Sequence, residues 1–125
     1  MHENEIAGHA MRAAFKVHTA LGPGLYESVY EAALAHEMRK LGLVVETQVA
    51  LPVIYDGIRL EVGFRLDVLV EQKVIIELKS VVELLPVHHK QLLNYLHLSQ
   101  LKLGLLINFN VVSLRDHIIR LANGL

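Results

Sequence analysis

From Phe64 to Lys79 the chain runs Phe-Arg-Leu-Asp-Val-Leu-Val-Glu-Gln-Lys-Val-Ile-Ile-Glu-Leu-Lys, two β-branched, apolar segments parted by a short polar break. Near-continuous apolar strands of this kind are covered on both faces, so the rest of the chain must supply layers above and below them. An ionised group inside such a strand carries a desolvation cost that a partner, a metal or a pKa shift has to offset. Asp67, Glu77 and Lys79 stand inside these strands and are the first candidates for chemistry. Side chains alternate along a strand, which puts Glu77 and Lys79 on one face. A two-residue connection would set Asp67 opposite Ile76; a three-residue connection, Glu71 to Lys73, or a bulge sets it opposite Glu77, with Cβ atoms roughly 5 Å apart. The latter register is the expected one. Two carboxylates that close repel unless a cation lies between them.

At 125 residues the chain is one domain, 1–125, long enough to bury about two-thirds of its unfolded surface in a single core. A formal charge of −1 and a pI near 6.7 exclude a grip on nucleic acid through bulk positive charge. Any such contact must be local. The stretch Leu84 to Arg115 has no Asp or Glu but holds Lys90, Lys102, Arg115, His88, His89 and His97, a modest phosphate-facing candidate. With no cysteine there is no disulfide framework and no thiolate metal site, and the cytoplasm is the expected compartment. Met1-His-Glu-Asn-Glu does not open a signal peptide, and no apolar run approaches the ~18 residues of a transmembrane helix, so no membrane partner is expected. The chain is nonetheless 53% hydrophobic, with a mean hydropathy of +0.38. Apolar surface left over from one small core suits self-association, and a homodimer is expected.

Ile6, Ala10, Ala13, Ala14, Val17 and Leu21 recur at helical spacing, and Gly22-Pro23-Gly24 ends that helix. A second helix is expected from about Leu25 to Leu41, closed by Gly42, with Tyr30, Leu34, Met38 and Leu41 inward and Glu27 in the middle of the same stripe. Val44 to Val49, Leu51 to Tyr55 and Ile58 to Gly63 read as strands, with Asp56-Gly57 a hairpin turn. After Lys79, Pro86 suits the first turn of a helix reaching about Ser99, with Gly104 in the connection beyond it. Leu103 to Asn108 is a buried strand and Val111 to Leu121 a final strand or irregular edge. The order is that of an α/β sandwich whose crossover helix makes the last central strand parallel to the one before.

Asp67 followed by Glu77-Leu78-Lys79 resembles the active-site signature of the PD-(D/E)XK nuclease superfamily. Gly24-Leu-Tyr-Glu27-Ser-Val-Tyr30 resembles the motif that names the GxxExxY protein family, a branch of that superfamily, and Gln91-Leu-Leu-Asn-Tyr95 resembles the Q-xxx-Y helix motif of its exonuclease-like branches. The resemblance implies a restriction-endonuclease-like core, a mixed central sheet flanked by helices in the order α-α-β-β-β-β-α-β-β. It further implies a nuclease in which Asp67, Glu77 and the main-chain carbonyl of Leu78 hold Mg²⁺ or Mn²⁺, hard ions that favour oxygen. Lys79 would orient or activate the attacking water, and Glu27 would complete the ion's surroundings directly or through a water. Gln91 and Tyr95, at i and i+4, and His88 at i−3 would face the substrate, DNA or RNA. Leu66 stands where the superfamily's name puts Pro, and the chain has almost nothing beyond the core, so a second copy or a partner protein would complete the substrate surface.

Plainer roles compete with these. Asp67, Glu77 and Lys79 can form a structural ion pair, although two acids to one base leave a surplus charge. Glu27 can serve the helix dipole, Tyr30 can be a packed aromatic with its hydroxyl bonded, and Gln91 and Tyr95 can hold their helix to the sheet. His2, His9, His18, His36, His97 and His117 lack metal-ligand spacing and read as surface or packed residues. The competing functions are a nuclease-fold binding or dimerisation module with a silent site, and a hydrolase for a small nucleotide.

Overall fold

The computed structural model describes residues 1–125, apart from the side chain of Val62. Among the described residues the elements are α1 (Glu3–Leu21), α2 (Glu27–Lys40), β1 (Val45–Tyr55), β2 (Ile58–Val70), β3 (Val74–Lys79), α3 (Pro86–Ser99), β4 (Leu103–Asn108) and β5 (Ile118–Ala122). The strands form one sheet in chain order, antiparallel except for the parallel pair β3 and β4. That pair brackets α3, as a crossover requires. The sheet is mixed and flanked by helices on both faces.

The apolar stripes explain the layers. Ala7, Ala10, Ala13 and Ala14 give α1 a small-residue face that lies close to its neighbours, and with Leu34 and Met38 of α2 it packs on Val68, Ile76 and Leu105 of the sheet. The opposite face belongs to α3, where Leu92, Tyr95 and Leu96 cover Leu69, Ile75 and Leu106. Gly104 lies inside β4, not in a connection before it, and the close approach of α3 explains the residue. A Cβ there would meet Leu92 Cδ1 at 2.9 Å.

Two further expectations are corrected. The separate strands read before Asp67 are fused, so the order is α-α-β-β-β-α-β-β. Val45 through Tyr55 is one strand because Pro52 lies on the sheet's edge strand, where a missing N–H is tolerated. Ile58 continues into the organising strand because Gly63, at φ 98°, absorbs the irregularity where the register shifts between Leu51 and Val53. The second correction concerns α2, which starts at Glu27 and ends at Lys40. Leu41 is 56% exposed, and Glu27, on the first helical turn, lies exposed at the end of its stripe and not inward among the core residues.

Strands β1 and β2 do not keep one face to one helix layer. Val45, Val68 and Val70 pack towards α1 and α2, whereas Val49, Leu51 and Leu66, which have the same parity along their strands, pack towards α3. Both strands therefore exchange faces between Val45 and Val49 and between Val68 and Leu66. The pairing skips Gln48 and Asp67 at that point, with the same register on either side.

Candidate active site

The connection between β2 and β3 is the three-residue one, Glu71 to Lys73, since Val70 pairs with Val74 and Val68 with Ile76. Continued by one step, the register sets Asp67 opposite Glu77. There the ladder gives way to side chains. The N–H of Asp67 donates to Glu77 Oε1 at 3.1 Å, and the N–H of Leu78 donates to Asp67 Oδ2 at 2.9 Å. Glu77 is 5% exposed. Burial, and then the neighbouring charge of Asp67, push its carboxyl up to about 9, so it holds a proton at neutral pH.

On the helical-hairpin side, Asp67 opens into a cavity of about 340 Å³ lined with Glu27, Ser28, Glu31, Gln48 and Leu78. The turn before α2 places Glu27. Tyr30 is fully buried and stacks on Phe109 with ring centroids 4.5 Å apart; its hydroxyl donates to the carbonyl of Gly22 at 2.6 Å and accepts from the N–H of Leu25 at 3.1 Å. Ser80, directly after Lys79, donates its hydroxyl to the carbonyl of Leu25 at 2.6 Å and its N–H to Glu27 Oε2 at 3.4 Å. Glu27 is thus held against the end of β3. Glu31 lies one turn on, and burial, with the charges of Asp67 and Glu27, raises its carboxyl above the usual range while Gln48 Nε2 donates to its Oε1 at 2.6 Å.

On the other side, strand alternation turns Glu77 and Lys79 towards α3. Tyr95 is 5% exposed there and meets Phe64 edge-on at 5.5 Å; burial and the charges of Glu77 and Asp67 raise its phenol. Lys79 is half-buried, and its charge eases the ionisation of Glu77. Asn108, paired with Lys79 in the parallel ladder, clamps the segment beyond it, accepting from the N–H of Val81 at 3.1 Å and donating to its carbonyl at 3.0 Å.

A family model described as the PD-(D/E)XK nuclease superfamily matches residues 4–121. The chain belongs to that superfamily. No curated protein and no solved structure matches it. Membership suggests a nuclease, whose substrate would be nucleic acid, and enzymes of the superfamily typically use divalent metal ions.

Seen as a superfamily member, the chain brings Asp67, in the interior of β2, beside Glu77, Leu78 and Lys79 at the end of β3, with Glu27 across the cavity and Tyr95 behind Glu77. Gln91 is half-buried one turn before Tyr95. His88 is partly engaged otherwise, because its Nδ1 accepts the N–H of Leu85 at 3.0 Å and caps α3. The remaining histidines stay apart from these residues; His2 Nδ1 accepts from Asn4 at 2.9 Å, and His18 Nε2 lies 2.7 Å from the carbonyl of Val111. Among the described residues no three His, Cys, Asp or Glu side chains are grouped closely enough to hold an ion. The donor chemistry still fits a hard cation: Asp67, open to the cavity, and Glu77, turned towards α3, supply carboxyl oxygens at neighbouring positions of β2 and β3, and each accepts one main-chain N–H.

Sequence reading missed three residues of this region. Glu31 was open to discovery as the i+4 neighbour of Glu27, and Asn108 as the polar residue that closes the apolar run from Leu103. Gln48 carries no local signal, because nothing in Glu-Thr-Gln-Val marks a break in a strand.

Proposed function

We propose that the chain is a Mg²⁺- or Mn²⁺-dependent phosphodiesterase acting on DNA or RNA, of the GxxExxY branch. The observation that carries this reading is the contact between Asp67 and Glu77 where the β2–β3 ladder opens, with Lys79 two residues further along the same strand. Asp67, Glu77 and the carbonyl of Leu78 would hold the ion, which when bound supplies the polarisation of the phosphate and a water of lowered pKa. Lys79 orients that water and offsets charge on the phosphate. Glu27, tied to Ser80, supports the ion from the opposite wall. Gln91, Tyr95 and His88 offer the substrate a surface along α3. The Gly24, Glu27 and Tyr30 motif fits a positioning device, since Tyr30 fastens the turn that delivers Glu27. A second copy or a partner protein extends the substrate surface, in keeping with a fold that is nearly all core, and the cytoplasm is the proposed site of action.

Thermal unfolding with increasing Mn²⁺ tests the ion site, because an ion that binds the folded state raises the midpoint by mass action. The wild type is expected to shift and Asp67→Ala is not. Labelled single- and double-stranded DNA and RNA then test turnover, which for a polymer should weaken steeply with salt, unlike turnover of a small nucleotide. One observation favours a second reading, a binding module with a silent site: both acids already accept main-chain N–H groups. A wild type that neither shifts with millimolar Mn²⁺ nor cleaves any of the four substrates would select it.

A further inference from the structure

Gln48 lies in the interior of β1 with φ at 52°, a left-handed conformation that sterics make uncommon for a residue bearing a Cβ. It is the residue that the β1–β2 register pairs with Asp67, and this rung is skipped in the pairing. At the same rung both strands exchange faces. Strict alternation would send Asp67 to the side opposite Val68, towards α3. Instead Asp67 and Val68 both reach the side of α1 and α2, Asp67 at the cavity and Val68 in the core. The left-handed backbone accounts for this without an inserted residue, since the register is the same before and after it.

The conformation is held from two directions. Arg65 donates to the carbonyl of Gln48 at 3.3 Å, in place of a ladder partner, and the Gln48 amide donates to Glu31 at 2.6 Å on the far wall of the cavity. We infer that Gln48 is a positioning residue whose left-handed backbone turns β1 and β2 at the rung of Asp67 and thereby aims that carboxylate into the cavity beside Glu27. Its importance to catalysis rests on the proposed metal site; the placement of Asp67 does not.

The test compares wild type with Gln48→Gly, which accepts positive φ, and with Gln48→Val, whose branched side chain resists it. The direct readout is amide hydrogen exchange by NMR at Leu78, whose N–H is held by Asp67, with Ile76 as an internal control of folding. Gln48→Gly should protect Leu78 as the wild type does, whereas Gln48→Val should speed its exchange about tenfold or more and leave Ile76 unchanged. The Mn²⁺ concentration needed for half the midpoint shift should rise in parallel for Gln48→Val alone. Should Gln48→Val not fold, Gln48→Ala should show the same effect more weakly. Equal protection of Leu78 in the wild type and every folded variant would overturn the inference. A wild type without any Mn²⁺ response would refute the metal site, and the exchange data would still decide the role of Gln48.

Discussion

The N–H of Asp67 donates to the carboxyl of Glu77, its register partner, at 3.1 Å, so the two acids are joined through main chain as well as side chain. With the return bond from Leu78 to Asp67, each acid takes up a main-chain donor freed by the opening of the ladder. Replacing either acid therefore changes the local backbone as well as the charge.

Stability should fall as pH rises through the range in which Glu77 alone would ionise. Its carboxyl stands at about 9 in the folded chain against an ordinary value of 4.5. Between these values the folded state binds the extra proton, so the slope of stability with pH is negative. Glu77→Gln should flatten that slope between about pH 5 and 9, which urea unfolding at several pH values would show. A slope unchanged by the substitution would mean that Glu77 is not the titrating group.

Lys79→Met keeps the length and apolar stem of the side chain and removes its charge. Cleavage should drop by roughly 10²- to 10⁴-fold while the Mn²⁺-induced midpoint shift persists. Single-turnover rates with a labelled oligonucleotide, set beside the unfolding data, check both halves. Loss of the metal response would reassign Lys79 to holding the acids in place.

Tyr30→Phe removes one hydroxyl that serves both Gly22 and Leu25 and leaves the stack on Phe109 in place. With a half-buried carbonyl and an N–H losing their partner, the expected cost is about 1 kcal/mol. Urea denaturation measures it. An unchanged midpoint would show that water serves the turn equally well.

Gly104→Ala should destabilise by about 1–3 kcal/mol, because the new methyl meets Leu92 at 2.9 Å. In a double-mutant cycle Leu92→Ala should make the glycine substitution much less costly. Additive effects would place the strain elsewhere.

Much of this arrangement was legible from residues near one another in the chain. The charges at Asp67, Glu77 and Lys79 stood out against apolar strands, and the three-residue connection, expected because it sets the two acids opposite each other, is the one present. The breaks expected at Ala50 and after Gly63 misled: Ala50 pairs with Arg65 inside a continuous β1, and the irregularity at Gly63 is absorbed within β2. The inward placement of Glu27 failed because periodicity gives a helix face but not where the sheet beneath it stops. The left-handed turn at Gln48 was invisible for a related reason. It is sustained by Arg65 and Glu31, each 17 residues away in sequence, and no local propensity announces it.

The stack of Tyr30 on Phe109 joins the first quarter of the chain to a residue just past β4. During synthesis the segment through Lys79 would leave the ribosome carrying both acids and the lysine while Phe109 had yet to emerge. The turn that presents Glu27 lacks its support until then, and β3 lacks its parallel neighbour β4. Assembly of the cavity is thereby deferred until most of the polypeptide has emerged, and a nascent chain stalled short of Phe109 would carry the motif residues without the site they form.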